Sequence, residues 1–566
     1  MRNIVIVEAV STGYNFVGDV IKRGYNPVLL EVKDDTGEDT AELRRTSYEM
    51  LETKPEIIRE DESYEKTLAR IKELDPVVVV AGSESGVPLA TRLADDLGLP
   101  GNPAENIPQM TRKDMMHEAL KKAGIRYIKG RKIKSVEEAL EFCKENKFTD
   151  AVVKPLQSAA SQGLFLCNNL SDVENAVNTL LKMQDIFGRP ITEVIIQERI
   201  RGTEYIVNTV SCNGVHKMNS MLRYKKQITP EGGYIYDYIE TISRLESGHS
   251  EMVQYALKVA DAIGIKYGMV HGEYVIDKTG PVLIEVNCRP MGCSMTAEFL
   301  DSIYGQHETD TTLDCYLNPD KFMANLNKPY RPKRKGVLKL IIVPGDREVE
   351  DHPVWQIGSQ LRSIYRIAAG DGTTARLYHK TRDLESNGGI LYLVHDDEHV
   401  VQEDLKLLKE IEHRYFQYIL NEGMSRRWFP DPNVPKNDFE GIIKNNRCQG
   451  GILVLADDKQ DINGAKCVTP AELPGLAKGY DYVIVGCQDC LTTMSETECL
   501  KIIFNAFSLL RPGGKVIIPK GTWHYLSYGR QGAELLLRVT GLVIEPPTSA
   551  DTDEVIGTNE DIRFSS

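Results

Sequence analysis

The stretch HGEYVIDKTGPVLIEVNCRP, residues 271–290, leaves the backbone few choices. Two alternating apolar runs, EYVI and VLIEV, flank Asp277, Lys278, Thr279, Gly280 and Pro281, a cluster of the residue types that close hairpins. A three-residue loop of Lys278, Thr279 and Gly280, with glycine where positive φ is needed, sets Asp277 opposite Pro281. Counting back with a side-chain period of two, Glu273 falls opposite Glu285 and His271 opposite Asn287, all on one face. Facing carboxylates repel unless something cationic lies between them. Oxygen donors from Glu273, Glu285 and Asn287 suit magnesium, or manganese in its place, a hard cation that keeps waters and binds substrate phosphates. The alternative on this stretch alone is a solvated hairpin face whose acids are accidental.

At 566 residues the chain exceeds one ordinary core, so three or four folding units are expected. With 41% hydrophobic and 27% charged residues it has the composition of an ordinary soluble protein. The opening run MRNIVIVEAV is too short for a signal peptide and reads as a first buried strand. No apolar run approaches the roughly 20 residues that span a bilayer. Eleven scattered cysteines point to a reduced, cytoplasmic protein without a disulfide framework. A net charge of −14 argues against nucleic acid or an anionic membrane as partner, leaving small molecules. The one basic run, KPYRPKRKG at 328–336, reads as a solvated linker.

The patterning predicts an α/β and α+β multidomain chain. Residues 1–105 alternate strand and helix around NIVIV, NPVLLEV and PVVVV, a small parallel sheet whose loops STGYN (11–15) and GSESG (82–86) lie where such sheets bind ligands. Residues 106–427 form an α+β region, and WFPDPNVPKNDF at 428–439 is the best linker. Residues 440–566 alternate again through GGILVLA, YDYVIVGC and KVIIPKG.

In order along the chain stand Lys113, the strand VVKP with Lys154, the small-residue loop QSAASQG, then IIQERIRGTEY, HGEY and LIEVNCRP. This ordered set resembles the ATP-grasp carboxylate-amine ligases over roughly residues 1–415, and the stretches VVVVAGSESGVPLATRLADDLGLPGN and SCNGVHKMNSMLRYKK resemble most the branch with the L-amino-acid (dipeptide) ligases. The resemblance implies ATP and magnesium as cofactors. It puts Lys113 and Lys154 on the phosphates, with Ser158, Ser161 and Gly163 in a loop closing over them. It puts Gln197, Glu198 and Ile200 at the adenine hinge and Glu204 on the ribose. The physical reading is compatible: lysines act as point charges on phosphate, and a loop without bulky side chains lets backbone amides approach. Taken singly, each lysine reads as a surface residue and the hinge as ordinary strand.

Arg289, past the metal strand, is placed to fork onto a phosphate or a reacting carboxylate. His271 is either a group near nucleotide and substrate or a satisfied strand histidine, and Arg223, Tyr224 and Lys225 are candidates to reach the substrate. The implied reaction is phosphoryl transfer from ATP to a carboxylate, giving an acyl phosphate that an amine attacks. Such chemistry needs positioning and charge stabilisation, not a protein nucleophile, and no GxSxG elbow is present. The competing readings are a non-catalytic ATP-binding scaffold and a two-headed ligase and methyltransferase. Residues 440–566 resemble a Rossmann-type methyltransferase, yet GGILVLADDKQ carries its glycines before the strand, so a degenerate domain serving packing, an oligomer or a partner protein is expected. CQDC at 487–490 reads as two incidental cysteines.

Overall fold

The computed structural model describes residues 1–33, 38–155, 163–184, 190–229, 234–349, 353–368, 376–382, 384, 386–422, 436–488, 496–523, 529–540, 542–545 and 554–559. They form two compact units, Met1–Leu338 with Arg382–Ser386, and Lys339–Thr381 with Asn387–Ser566.

The first unit opens on a parallel sheet of β1 (Asn3–Val7), β2 (Asn26–Glu31), β3 (Glu56–Arg59) and β4 (Pro76–Ala81), in the order β3-β2-β1-β4. Ile4 and Ile6 pack with Phe16, Val17 and Val20 on one face, while Val5 and Val7 pack with Val28, Leu30 and Leu93 on the other. Burial on both faces is why NIVIV is apolar throughout instead of alternating. β3 lies between the runs NPVLLEV and PVVVV, where the sequence shows no apolar alternation. It is an edge strand with only Ile58 buried, too short and polar to carry an alternating signal.

A second sheet, β5 (Gly130–Ile133), β6 (Ala151–Pro155), β7 (Phe165–Cys167) and β8 (Val194–Gln197), pairs antiparallel in the order β5-β8-β6-β7. The helices Val136–Asn146 and Leu170–Leu180 share a core with it through Phe142, Val173 and Val177. The main sheet of the unit comprises β9 (Thr203–Cys212), β10 (Val215–Ile228), β11 (Tyr234–Thr241), β12 (Gly268–Asp277), β13 (Gly280–Asn287) and β14 (Lys335–Leu340), ordered β13-β12-β9-β10-β11-β14. Tyr205, Val207, Val270, Tyr274 and Val286 pack against the helices Lys113–Lys122 and Ser247–Ile263. Alternation along β12 then turns His271 and Glu273 to the opposite face.

The hairpin differs from its sequence reading at the turn and agrees with it at the acids. Only Lys278 and Thr279 form the loop, with Asp277 opposite Gly280 instead of Pro281. Asp277 Oδ1 accepts from the Thr279 amide (2.7 Å) and hydroxyl (2.8 Å), an Asx turn that tightens the loop by one residue. A bulge at Ile284 takes the residue back, so Glu273 still faces Glu285 and His271 still faces Asn287. The basic run at 328–336, expected as a solvated linker, is largely exposed but anchored at two points. Tyr330 donates to the Ile242 carbonyl (2.7 Å), and Lys335, 5% exposed, reaches Thr241 O (2.7 Å) and Glu240 (3.0 Å).

In the second unit β15 (Arg347–Val349) pairs with β17 (Arg376–Tyr378), and β16 (Ile364–Ala368) with β18 (Ile390–His395). A further sheet contains β19 (Ile452–Leu455), β20 (Ala465–Val468), β21 (Tyr480–Val485), β22 (Leu510–Pro519), β23 (Val543–Ile544) and β24 (Glu554–Thr558), ordered β20-β19-β21-β22-β24-β23. The half-exposed β20 and the short β23 and β24 lack the apolar runs that announce β19, β21 and β22. The helix Pro353–Gly358 packs against Glu496–Phe507 and Gly529–Val539, so segments far apart in sequence share this unit. Most of the stretch 428–439 and Cys490 of CQDC lie outside the described residues.

Buried charge fastens helices within the first unit. His307 is 3% exposed, with Nε2 2.8 Å from Asp19 and Nδ1 2.8 Å from Asp301, and Thr309 also donates to Asp19 (2.7 Å). Burial alone would lower the imidazole pKa, but the two carboxylates outweigh it and raise it to about 10. A pKa raised on folding gives stability that is complete below the unfolded value of about 6.5 and is lost as pH climbs towards about 10. His307→Gln should cost roughly 3 kcal/mol near pH 6, as expected for a broken buried pair, with the gap to wild type closing towards pH 10. Thermal unfolding across that range checks this; a gap independent of pH would refute the charged-histidine clasp.

Candidate active site

A cavity of about 410 Å³ opens between the second sheet and the main sheet of the first unit. One part is an apolar slot of Ile128, Val152, Leu166, Val275 and Ile284, the last being the bulged residue of the hairpin. Gln197, Glu198 and Ile200, at and just past the end of β8, edge this slot. Gln197 is 2% exposed, and its buried amide nitrogen has no hydrogen-bond partner among the described residues. An orphaned donor beside a flat apolar slot suits a heteroaromatic ring with acceptor nitrogens.

Charged groups crowd the rest. Lys113, at the start of its helix, is 2.6 Å from Glu285. Lys154, on β6, shares the cavity at 6% exposure. Burial, then the neighbouring Lys113 charge, pushes the Lys154 pKa down to about 8. Glu273 Oε1 accepts from Tyr224 (3.1 Å) and lies 3.3 Å from His271 Nε2. Burial by itself would raise both hairpin carboxyls. The His271 hydrogen bond and Lys226 hold Glu273 low instead, and Lys113 does so for Glu285. Both acids are therefore anions in a cleft shared with ammonium groups.

The hairpin fits a divalent cation by its donors. Two carboxylates meet across one rung, and Asn287 follows on the same face at 7% exposure. No three His, Cys, Asp or Glu side chains converge among the described residues, and Asn287, which follows Glu285 on this face of the hairpin, does not line the cavity. A set of oxygen donors alone suits magnesium or manganese.

Arg289 lines the cavity, with Nη2 3.2 Å from Glu84 of the GSESG loop. The STGYN loop bonds to the segment that follows Arg289. Thr12 Oγ1 donates to Gly292 O (3.0 Å) and accepts from Met295 N (3.0 Å), and Asn15 donates to Met295 O (2.9 Å). These bonds clamp the segment beyond Arg289, where Cys293 and Ser294 hold φ of +67° and +45°, a costly conformation for side-chain residues.

Of the three substrate candidates on β10, Tyr224 lines the cavity, but the lysine beside it there is Lys226 and not Lys225. Alternation from Tyr224 would have found it. Lys226 is 2.6 Å from Glu204 and lies over the rings of Tyr224, Tyr234 and Tyr236 at 4.7, 5.6 and 4.4 Å. Arg223 turns away to Glu240 (2.9 Å). Glu204, implied on a ribose, is thus committed to an ammonium ion in this structure. Gly163 (φ +69°) stands where a Cβ would come within 3.1 Å of Pro155, while Ser158 and Ser161 lie outside the described residues.

Residues 111–293 match the family model of the phosphoribosylglycinamide synthetase ATP-grasp (A) domain. Dapdiamide A synthase of Enterobacter agglomerans is 26% identical over 362 residues, 63% of this chain and 84% of that protein. Among solved structures, the L-amino acid ligase from Bacillus licheniformis superposes with a TM-score of 0.56 at 17% identity, over 72% of this chain and 97% of its own. Carboxyaminoimidazole ribonucleotide synthase from Aspergillus clavatus, complexed with ATP, gives 0.53 at 14%, over 73% and 99%. These two structures share the fold.

An anion entering the cavity favours charged Lys154. ADP binding should therefore take up a proton at about pH 8.5 and weaken as pH rises through 8, whereas Lys154→Arg, which stays charged, should do neither. Calorimetry in two buffers of different ionisation enthalpy measures the uptake; equal uptake by wild type and variant would contradict the assignment.

Proposed function

Starting from an enzyme of the ATP-grasp ligase kind, we propose that it joins a carboxylate to an amine, both amino acids or amino-acid derived, with release of ADP and phosphate. The observation that carries this reading is the facing pair Glu273 and Glu285, held in one cavity with Lys113, Lys154 and the open amide of Gln197. The names of dapdiamide A synthase and the L-amino acid ligase support the substrate class.

In this reading the adenine enters the apolar slot against Gln197 to Ile200, and the two lysines take the phosphates as point charges. Glu273, Glu285 and Asn287 would hold magnesium, which when bound would offset negative charge on the transferring phosphoryl group. Arg289 steers the substrate carboxylate in line with the γ-phosphorus and spreads its charge. The carboxylate oxygen forms a bond to phosphorus as the bond to ADP breaks. The amine then attacks the acyl carbon of the acyl phosphate, phosphate leaves, and the amine loses its proton. His271 has one ring nitrogen on Asn208 and the other facing Glu273, so its proposed part is to hold that acid in place.

No methyl transfer is proposed for residues 440–566. In a sheet ordered β20-β19-β21, the crevice for a nucleotide-like ligand lies outside the carboxyl ends of β19 and β21, where the strand order reverses. Hydrogen bonds among the described residues at these strand ends support this reading: Gln488 N donates to Asp457 (2.7 Å), Gln488 Nε2 to Gly521 O (2.8 Å), and Asn437 Nδ2 to Gly486 O (2.9 Å). A cut near Asn433 would run through the second unit, so removing this region is no clean deletion.

Glu285→Ala should reduce amine-dependent ADP release by about 10²-fold or more, in line with the loss of a transition-state electrostatic contact, in a screen of amino acids and small acids with mass detection of products. Unchanged turnover would sink the metal assignment. Titrating the full chain with S-adenosylmethionine in a calorimeter should give no saturable heat; micromolar binding would show that the crevice opens.

A further inference from the structure

Behind His271 runs a line of polar side chains that the chemistry above leaves unused. Asn208 (β9) is 2% exposed, Ser220 (β10) 1%, and Glu308, first residue of the helix Glu308–Leu317, 5%. His271 Nδ1 lies 2.9 Å from Asn208 Oδ1. Asn208 Nδ2 donates to Ser220 Oγ (2.9 Å) and to Glu308 Oε1 (3.3 Å), and Ser220 Oγ donates to the same carboxylate oxygen (2.6 Å).

The direction of these bonds follows from their far end. A carboxylate only accepts, so Ser220 must give Glu308 its proton, and Asn208 must turn its NH₂ towards them. The amide oxygen of Asn208 then faces the imidazole, and Nδ1 must be the donor. A buried network satisfied in one direction admits one arrangement, because the reverse leaves donors pointing at donors.

We propose that Glu308, Ser220 and Asn208 are positioning residues that keep His271 Nδ1–H on the Asn208 oxygen and so hold the ring with its Nε2–H edge against Glu273, presetting that carboxylate for the divalent cation. The inference rests on the reading of Glu273 as a metal ligand. Hydrogen-bond partners behind a metal ligand are worth roughly 10–100-fold in metal affinity. The network is invisible in sequence, since its members come from four separate elements and each is an unremarkable polar residue by itself.

Two substitutions in the full chain test this. Asn208→Leu should weaken Mn²⁺ binding, followed by electron paramagnetic resonance in the presence of ADP, by roughly tenfold or more, while ADP affinity without metal stays as in wild type. Glu308→Gln keeps shape and volume but adds a donor, so Asn208 can flip and present its NH₂ to Nδ1. ¹⁵N-histidine spectra, with His271→Gln for assignment, should then show Nδ1 change from donor to acceptor type, a change that mere loosening of the core would not make. The proposal is overturned by an unchanged Mn²⁺ affinity in Asn208→Leu, by an equal loss of metal-free ADP binding, or by Nδ1 remaining a donor in Glu308→Gln. Glu273→Ala separates the two layers: if it too leaves Mn²⁺ affinity unchanged, the metal reading fails together with the inference, whereas a loss there beside an unaffected Asn208→Leu overturns the inference alone.

Discussion

Two carboxylates facing each other across one rung of a sheet cannot be left alone. In the low dielectric of a part-buried cleft their repulsion is strong, and each also loses hydration. Much of the first unit can be understood as the answer to that cost. Lys113 is brought to Glu285 by a helix start, Tyr224 and His271 reach Glu273 from β10 and β12, and Lys226 adds charge from within a cage of tyrosines. The cations crowd one another in turn, which is why burial and Lys113 together leave Lys154 titrating near 8. Acids and bases are held in mutual tension, and a polyanion with its counter-ion can enter and replace contacts already present.

What the sequence disclosed was whatever repeats locally. β1, β2, β4, β12 and β13 announce themselves by apolar runs, and the facing acids follow from a period of two. Contacts between distant segments stayed hidden. Nothing in STGYN says that Thr12 and Asn15 will grip residues 292–297, some 280 positions on. β3 and β20 give no apolar signal because edge strands need few apolar residues, and Lys226 stands two residues past Tyr224 on the same face of β10. In the basic run at 328–336, composition shows its solvated character but not that Tyr330 and Lys335 have carbonyl partners.

The second unit shows how fold and chemistry part company. Its sheet reverses strand order beside β19, the arrangement that elsewhere leaves a ligand crevice, yet side-chain amides of Asn437 and Gln488 satisfy the backbone there. Gly521 is pressed so closely that an added Cβ would lie 2.3 Å from Asn437.

The bulge at Ile284 divides the hairpin into two segments that keep count separately. Between the turn and the bulge, pairing is set by the Asx loop; beyond it, by the face that carries Glu273 and Glu285. Because side chains alternate, losing a single residue of β13 between the turn and Glu285 would turn that acid to the opposite face, whereas exchanging the bulged residue for another of similar bulk would leave the phase intact. The irregularity thus works as a vernier: it lets a tight two-residue turn and a polar face of fixed phase coexist on strands whose lengths do not otherwise match.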